Sequence, residues 1–252
     1  MTTPAISVLI PFYNRHGLIA DTVASLTSQS LTDFEAVIVD DGSTPALERR
    51  HLGGAASDPR LKLIRQDNRG AGAARNTALD AATGDYVLFL DSDDLLVAGA
   101  LAALIDASDR GSADTVTGNW FDFSGESERR LKPPFPYRDG LANAVAGEWS
   151  TGSTILKRSL RPRVSETRMP WEMAECYLKA LSDERARAVY VDHDIVRMRQ
   201  DSPGRLTHLH DHFEPLTACR FWMEMKASVP LNAERRAAFD RQIFRFLFTL
   251  YH

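Results

Sequence analysis

Gly84-Asp-Tyr-Val-Leu-Phe-Leu-Asp-Ser-Asp-Asp94 is the stretch that decides the fold. Tyr86 to Leu90 is an unbroken apolar run of strand length, with Gly84 before it and acid after it. Such a run between helical patterns suits a strand covered on both faces of a parallel sheet. It delivers three carboxylates, Asp91, Asp93 and Asp94, to its C-terminal end. Like charges this close repel, and each carboxylate tends to hold its proton. A divalent cation removes that cost. Mg2+ or Mn2+ prefers oxygen ligands, takes few protein carboxylates, and completes its shell with water and substrate phosphates. The expectation is a metal–diphosphate site at this strand end, the edge where open α/β sheets place their ligands. The competing reading is that Asp91 or Asp94 only caps the next helix.

The segments before it alternate strand and helix. Ile6-Ser-Val-Leu-Ile-Pro-Phe-Tyr-Asn14 reads as a first buried strand. Pro11 lacks an N–H and belongs where the ladder is ending. Leu18, Ile19, Val23 and Leu26 recur at helical spacing up to Ser28. Phe34-Glu-Ala-Val-Ile-Val-Asp-Asp-Gly-Ser43 is a second strand that also ends in acid, at Asp40 and Asp41. Leu61 to Ile64 is a short third strand. Asp67-Asn-Arg-Gly-Ala-Gly-Ala-Ala-Arg-Asn76 is a glycine-containing loop that opens a helix running to Ala82. This order predicts a parallel sheet with helices on both faces. Asn14, Asp40, Asp41 and the acidic cluster then sit at strand ends, where carboxylates accept hydrogen bonds from a base N–H or ribose hydroxyls. The loop Arg69 to Arg75 offers N–H groups at a helix start and guanidinium groups, both suited to an anion. Arg75 reads equally well as a solvated helix residue. The dinucleotide fingerprint and the P-loop are both absent.

Together, Val8-Leu-Ile-Pro-Phe-Tyr-Asn14, Val37-Ile-Val-Asp-Asp-Gly-Ser43, Asn68-Arg-Gly-Ala-Gly-Ala-Ala-Arg-Asn76 and Gly84-Asp-Tyr-Val-Leu-Phe-Leu-Asp-Ser-Asp-Asp94 resemble the family 2 inverting glycosyltransferases. The resemblance implies a GT-A fold: a Rossmann-like α/β, mostly parallel sheet flanked by helices, with a nucleotide-diphosphate-sugar donor. It implies that Asp41 binds the nucleobase, that Asp91 lies near ribose and sugar, and that Asp93 ligates Mn2+ or Mg2+ with Asp91 beside it. Asp40 and Asp94 support the site. The donor-binding set becomes Pro11, Tyr13, Asn14, Asp40, Asp41, Arg75, Asp91, Ser92 and Asp93. Val189-Tyr-Val-Asp-His-Asp-Ile-Val-Arg-Met-Arg-Gln200 reads as a strand or two and resembles the family's closing segment over the diphosphate. It adds Arg199, with Ser202 and Arg205 behind it.

Met169-Pro-Trp-Glu-Met-Ala-Glu-Cys-Tyr-Leu-Lys-Ala-Leu181 reads as a helix that Pro170 can start. The family places Glu-Asp at this helix start, with the Asp as general base. Here the matching residues are Glu172 and Met173, a departure, because methionine takes no proton. Glu172 is the candidate base and Glu175, one turn on, the second. The alternatives are a weak or inactive nucleotide-sugar binder, or glutamates that only favour the positive end of the helix dipole.

The remaining chain is less specific. Ala100 to Ala107 is helical, Asp114 to Phe123 strand-like, and Gly125 to Tyr137 a loop or insertion hairpin. Trp120, Phe121, Phe123 and Trp149 offer faces to a sugar or serve as core. Gly152 to Arg158 is a short strand. His193, His208, His210 and His212 lie on no single rigid element, so the oxygen-rich site is preferred as the metal site. Leu216 to Ala227 and Glu234 to Tyr251 are helical patterns, the second mixing Arg with Phe, Leu and Ile. It is expected to dock on the catalytic domain, pair with another subunit as a homo-oligomer, or lie at an anionic membrane surface. The chain ends inside this apolar run, as a truncated chain would. The organisation expected is 1–112 as the nucleotide-sugar-binding half, 113–206 as the acceptor-binding half of the same domain, and 207–252 as a C-terminal helical extension.

Bulk composition bounds these expectations. Hydrophobic residues make up 44% and charged residues 25%, enough for a globular core. A net charge of -4 leaves no electrostatic footprint for nucleic acid. Cys176 and Cys219 have no metal-type spacing and suit reduced core residues of a cytoplasmic protein. The first strand begins without a basic leader, so no signal peptide is expected. No run reaches the roughly 18 apolar residues of a membrane span. The expected activity is transfer of one sugar to a carbohydrate or lipid-linked acceptor hydroxyl in surface polysaccharide or glycoconjugate synthesis. The protein is expected in the cytoplasm, with peripheral contact at the inner membrane face as an option. The Q-x-x-R-W signature of processive synthases is missing. A nucleotidyltransferase would need a basic activating loop that Pro11 to His16 does not supply.

Overall fold

The structure, a computed structural model, describes residues 3–108, 112–131, 139–146, 150–166, 172–183, 185–202 and 215–248, with backbone alone at 140, 172, 215–216 and 246–248. Four parallel strands form its first half: β1 (Ile6–Phe12), β2 (Phe34–Asp41), β3 (Leu61–Gln66) and β4 (Tyr86–Phe89), in the order β3-β2-β1-β4. Every residue of β1, β2 and β4 is buried, as their unbroken apolar runs predict. Side chains alternate between two layers. Val8, Ile10, Ile38 and Leu88 pack with Ile19, Val23 and Leu26 of α1 (Ile19–Thr27) on one face. Leu9, Val37, Val39 and Val87 pack with Ala74, Ala78 and Leu79 of α2 (Ala71–Ala81) on the other.

The second half of the sheet is mixed. β8 (Thr154–Lys157) runs antiparallel to β4, and β6 (Thr115–Ser124) runs antiparallel to β8. β9 (Ala188–Arg199) lies parallel to β6, with register shifts between Thr117 and Trp120, and is one strand rather than two. β7 (Ser127–Leu131) forms a hairpin with β6, the second of the two readings left open for this segment. Elements not anticipated include the two-residue β5 (Leu95–Leu96) on the edge of β9, a short 3-10 stretch Arg49–Ala55, and α4 (Gly140–Ala146). α3 (Ala100–Ala107) follows β5.

α5 (Glu172–Ala180) lies between two apolar clusters. Cys176 and Tyr177 face the sheet cluster, and Leu178 and Leu181 face a cluster built from α4, α6 (Pro215–Ser228) and α7 (Ala233–Phe248). The C-terminal helices therefore dock on the body of the molecule. Met223 and Phe244 remain exposed on them. Among the described residues no helix is long and apolar enough to cross a membrane.

Candidate active site

Because β2, β1 and β4 are parallel neighbours, their C-terminal ends meet at one edge of the sheet. That edge gathers Asp40 and Asp41, the turn after Phe12, and the acidic cluster after Phe89. Asn14 adopts a left-handed φ of 52°, a conformation Asn tolerates better than most residues. Its N–H donates to Ser43 Oγ at 3.0 Å and its Oδ1 accepts Thr44 N–H at 2.9 Å. These bonds tie the end of β1 to the turn after β2. Gly42, with φ 78°, lets Asn68 come so close that a Cβ would lie 2.7 Å from its backbone nitrogen. Tyr13 is half exposed beside them, while Pro11 is buried within β1.

The two acids ending β2 do different things. Asp40 is fully buried. It accepts Ser43 N–H at 2.9 Å, Leu47 N–H at 3.0 Å and Arg65 Nη1 at 2.6 Å. Burial alone would raise its pKa, but the hydrogen bonds from Ser43 and Leu47 and the Arg65 charge hold it below the ordinary value. Asp40 thus builds the turn. Asp41 Oδ1 accepts Gln66 Nε2 at 2.8 Å and Arg69 N–H at 2.9 Å, and Oδ2 accepts Gly70 N–H at 2.8 Å. A carboxylate offers about four acceptor positions, so these three bonds fix the loop at the start of α2 and leave Oδ2 with capacity for a ligand donor.

The acidic cluster diverges. Asp91 Oδ1 receives Arg75 Nη2 at 2.8 Å, Asp93 Oδ1 receives Arg15 Nη1 at 2.7 Å, and Asp94 Oδ1 receives Arg199 N–H at 2.9 Å. The repulsion expected at this strand end is therefore met inside the chain, by two arginines and a backbone N–H. Arg75 is buried, which corrects its reading as a solvated helix residue. Ser92, Asp93 and Asp94 are buried as well, whereas the Asp91 side chain is 38% exposed. Arg199 comes to the same place from β9. Its Nε lies 3.3 Å from the Asp93 carbonyl oxygen, and its guanidinium stacks 4.8 Å over the Phe123 ring beside that of Arg197. Phe123 is thus a support for arginine, and Trp120 belongs to the core.

A cation that takes a single carboxylate and fills its shell with donor phosphates fits Asp93. Among the described residues no three His, Cys, Asp or Glu side chains gather into a metal-holding cage. Among the described residues, buried His193 Nε2 has no hydrogen-bond partner. His208, His210, His212 and Arg205 lie outside the described residues, as do Trp149, Met169, Pro170 and Trp171. Glu172 opens α5, but its side chain is also outside them. Glu175 accepts a hydrogen bond from Lys179 on its own helix. Met173 packs against the sheet cluster.

Sequence reasoning missed four side chains here. Arg65 and Gln66 stand opposite Asp40 and Asp41 in the β2–β3 register, so the strand pairing would have found them. Arg15 reaches from the end of β1 to the end of β4, and no local pattern marks it. Glu166 accepts Arg69 Nη2 at 2.7 Å and Asn76 Nδ2 at 3.2 Å, pinning the loop at the start of α2 to the segment before α5. A crevice of about 890 Å³ lies at the opposite end of β4, lined by Asp33, Asp85, Lys157 and Arg158 among others. None of the site residues above borders it.

Comparison with known proteins identifies the family and the fold. The profile of Glycosyl transferase family 2 matches residues 7–168. EpsJ of Bacillus subtilis, an uncharacterized glycosyltransferase, is 28% identical over 204 residues, 81% of this chain and 56% of EpsJ. The GalNAc(5)-diNAcBac-PP-undecaprenol beta-1,3-glucosyltransferase of Campylobacter jejuni is 34% identical over 168 residues, 62% of this chain and 53% of that protein. The chain thus spans about half the length of these curated relatives. Among solved structures, an S. aureus TarS fragment in complex with UDP-GlcNAc superposes with a TM-score of 0.75 at 22% identity, covering 96% of this chain and 71% of that one. The mannosyltransferase PcManGT from Pyrobaculum calidifontis, in complex with GDP-Man and Mn2+, gives 0.67 at 19% identity, covering 97% and 70%. The shared architecture is the GT-A fold.

Proposed function

The chain belongs to glycosyl transferase family 2, and from that premise we propose that it is an inverting glycosyltransferase. It moves one sugar from a nucleotide-diphosphate donor to an acceptor hydroxyl, in surface polysaccharide or glycoconjugate synthesis. The observation that carries this reading is the convergence, at one sheet edge, of Asp41, the Tyr13–Asn14 turn, Asp91 to Asp94, Arg75 and Arg199. Asp41 takes a base N–H on its remaining acceptor capacity, and the half-exposed Tyr13 ring lies at the base's edge. Asp91 faces the ribose and sugar. Asp93, with Asp91 beside it, would hold Mn2+ or Mg2+, which when bound screens the charge of the diphosphate. Arg199, oriented by Phe123 and the Asp93 carbonyl, meets the charge that grows on the leaving nucleoside diphosphate. Glu172 takes the proton of the attacking hydroxyl, so positioning and electrostatics supply most of the rate.

A lipid-linked acceptor is favoured by the undecaprenol-linked substrate in the name of the Campylobacter relative. A uridine nucleotide is the first donor to try, because TarS is solved with UDP-GlcNAc and with UDP. A second reading, a binder without transfer activity, is supported by Met173, partly buried against the sheet cluster, where the family has its acid.

The deciding experiment incubates the chain with a panel of sugar nucleotides and Mn2+, with lipid-linked and saccharide acceptors, and detects released nucleoside diphosphate. One donor should stand out, and Asp93→Ala should remove its turnover. Full activity in Asp93→Ala refutes the assignment of Asp93. Tight donor binding with no release under any pairing selects the binder.

A further inference from the structure

We propose that Arg15 is the resident counter-ion of Asp93, holding the carboxylate that a divalent cation would use and passing to the donor's phosphates when cation and donor bind together. The inference rests on the donor-site reading above. Arg15 Nη1 and Asp93 Oδ1 are 2.7 Å apart, and the side chains are 21% and 4% exposed. The carboxylate is thus enclosed while the guanidinium keeps an opening to solvent. The pair joins the ends of β1 and β4, neighbours in the sheet, so the fold and not local sequence sets the contact. A carboxylate this buried is costly without a partner. Asp91 and Asp94 meet Arg75 and the Arg199 N–H, so of the three acids Asp93 is the one whose charge Arg15 balances.

A cation arriving alone must therefore displace a guanidinium from an enclosed carboxylate and then sit beside the positive charge it displaced. A nucleoside diphosphate changes the balance. Its phosphate oxygens accept the released guanidinium, in the bidentate geometry that suits arginine, and also ligate the cation. Cation and nucleotide then strengthen each other's binding by the same factor. An Arg15 that merely tied two strand ends together would give no such coupling.

The test measures Mn2+ binding to the intact chain, by the electron paramagnetic resonance signal of free Mn2+, with and without UDP. Wild type should bind Mn2+ alone weakly. Arg15→Gln should bind Mn2+ alone at least about tenfold more tightly, Asp93→Asn added to it should remove the gain, and Arg15→Lys should stay within about twofold of wild type. Arg15→Met is a second neutral variant, and whichever neutral variant is folded by circular dichroism must show the gain. Equal Mn2+ affinity in wild type and the folded neutral variant overturns the proposal, whatever UDP does. If no nucleoside diphosphate binds wild type with or without Mn2+, the donor-site reading fails instead, and the Mn2+-alone comparison still decides the role of Arg15.

Discussion

Asp91, Asp93 and Asp94 share one strand end, yet each carboxylate has a different partner from a different part of the chain. Separate pairing of this kind offsets the repulsion between neighbouring carboxylates. The same chemistry recurs at the opposite end of β2, where Glu35 is buried. Its carboxylate receives Ser7 Oγ at 2.6 Å, Thr83 N–H at 2.5 Å, Thr83 Oγ1 at 2.8 Å and Lys62 Nζ at 2.6 Å. Burial pushes its pKa up and is the largest single influence. The Lys62 ammonium and the hydrogen bonds from Ser7 and Thr83 together outweigh it, and bring the pKa from 4.5 to about 2. A depressed folded pKa means that the unfolded chain binds more protons in this range, so the stabilisation is complete above about pH 4.5 and fades as pH falls toward 2. Glu35→Gln should lower the melting temperature at neutral pH and flatten its decline across that window. Melting curves at a series of pH values check this, and an unchanged acid slope in the variant would place the acid sensitivity elsewhere.

α5 is the element on which the proposed chemistry turns. Its register is fixed from both sides, by Cys176 and Tyr177 against the sheet cluster and by Leu178 and Leu181 against the C-terminal helices. Burial pushes the Cys176 thiol up to about 12, so this cysteine is a packing residue. Glu175 pairs with Lys179 on the same helix, a weak surface pair. Glu172→Gln should lower turnover about a hundredfold to ten-thousandfold while donor affinity, measured by calorimetry, stays within about twofold. Glu175→Gln should leave turnover within about threefold of wild type. A large loss in Glu175→Gln alone would move the base one turn along the helix. Elements such as β1, β2 and β4 are legible in the sequence because strands buried on both faces are continuous apolar runs. β5 is not, because two leucines carry no period. α4 is not, because Leu141, Ala142 and Val145 are buried in a cluster with α5, α6 and α7, all of which come later in the chain. Within the site the acids at the strand ends are legible for the same reason as their strands. Arg15 and Arg65 are not, since each meets its acid across strands.

At the scale of the whole molecule, one buried cation adds a polar anchor between the C-terminal helices and the end of α5. In sequence Arg235 looks like Arg236 beside it, a cation on an amphipathic helix. In the structure Arg235 is 1% exposed. Its Nε donates to both Asp139 oxygens at 3.0 and 2.9 Å, Nη1 to the Ser182 carbonyl at 2.7 Å, and Nη2 to the carbonyls of Leu181 and Asp183 at 3.3 and 3.1 Å. Those carbonyls follow the last turn of α5, where a cation also suits the helix dipole. Asp139 in turn accepts the Ala142 N–H at the start of α4 and Asn232 Nδ2 just before α7. One guanidinium therefore clamps the end of α5, the start of α4 and the start of α7. Removing it leaves Asp139 as a buried charge without its main partner, which costs about 3–5 kcal/mol in comparable cases. Arg235→Met should lose stability of that order in urea unfolding, and amide exchange should quicken in α5 together with α7, because the two helices lose the same anchor. Replacing Asp139 by Leu in the same chain should return part of the loss, since the stranded charge is then gone. If α7 opens while α5 keeps its protection, Arg235 holds the C-terminal helices to one another and does not position the helix that carries Glu172.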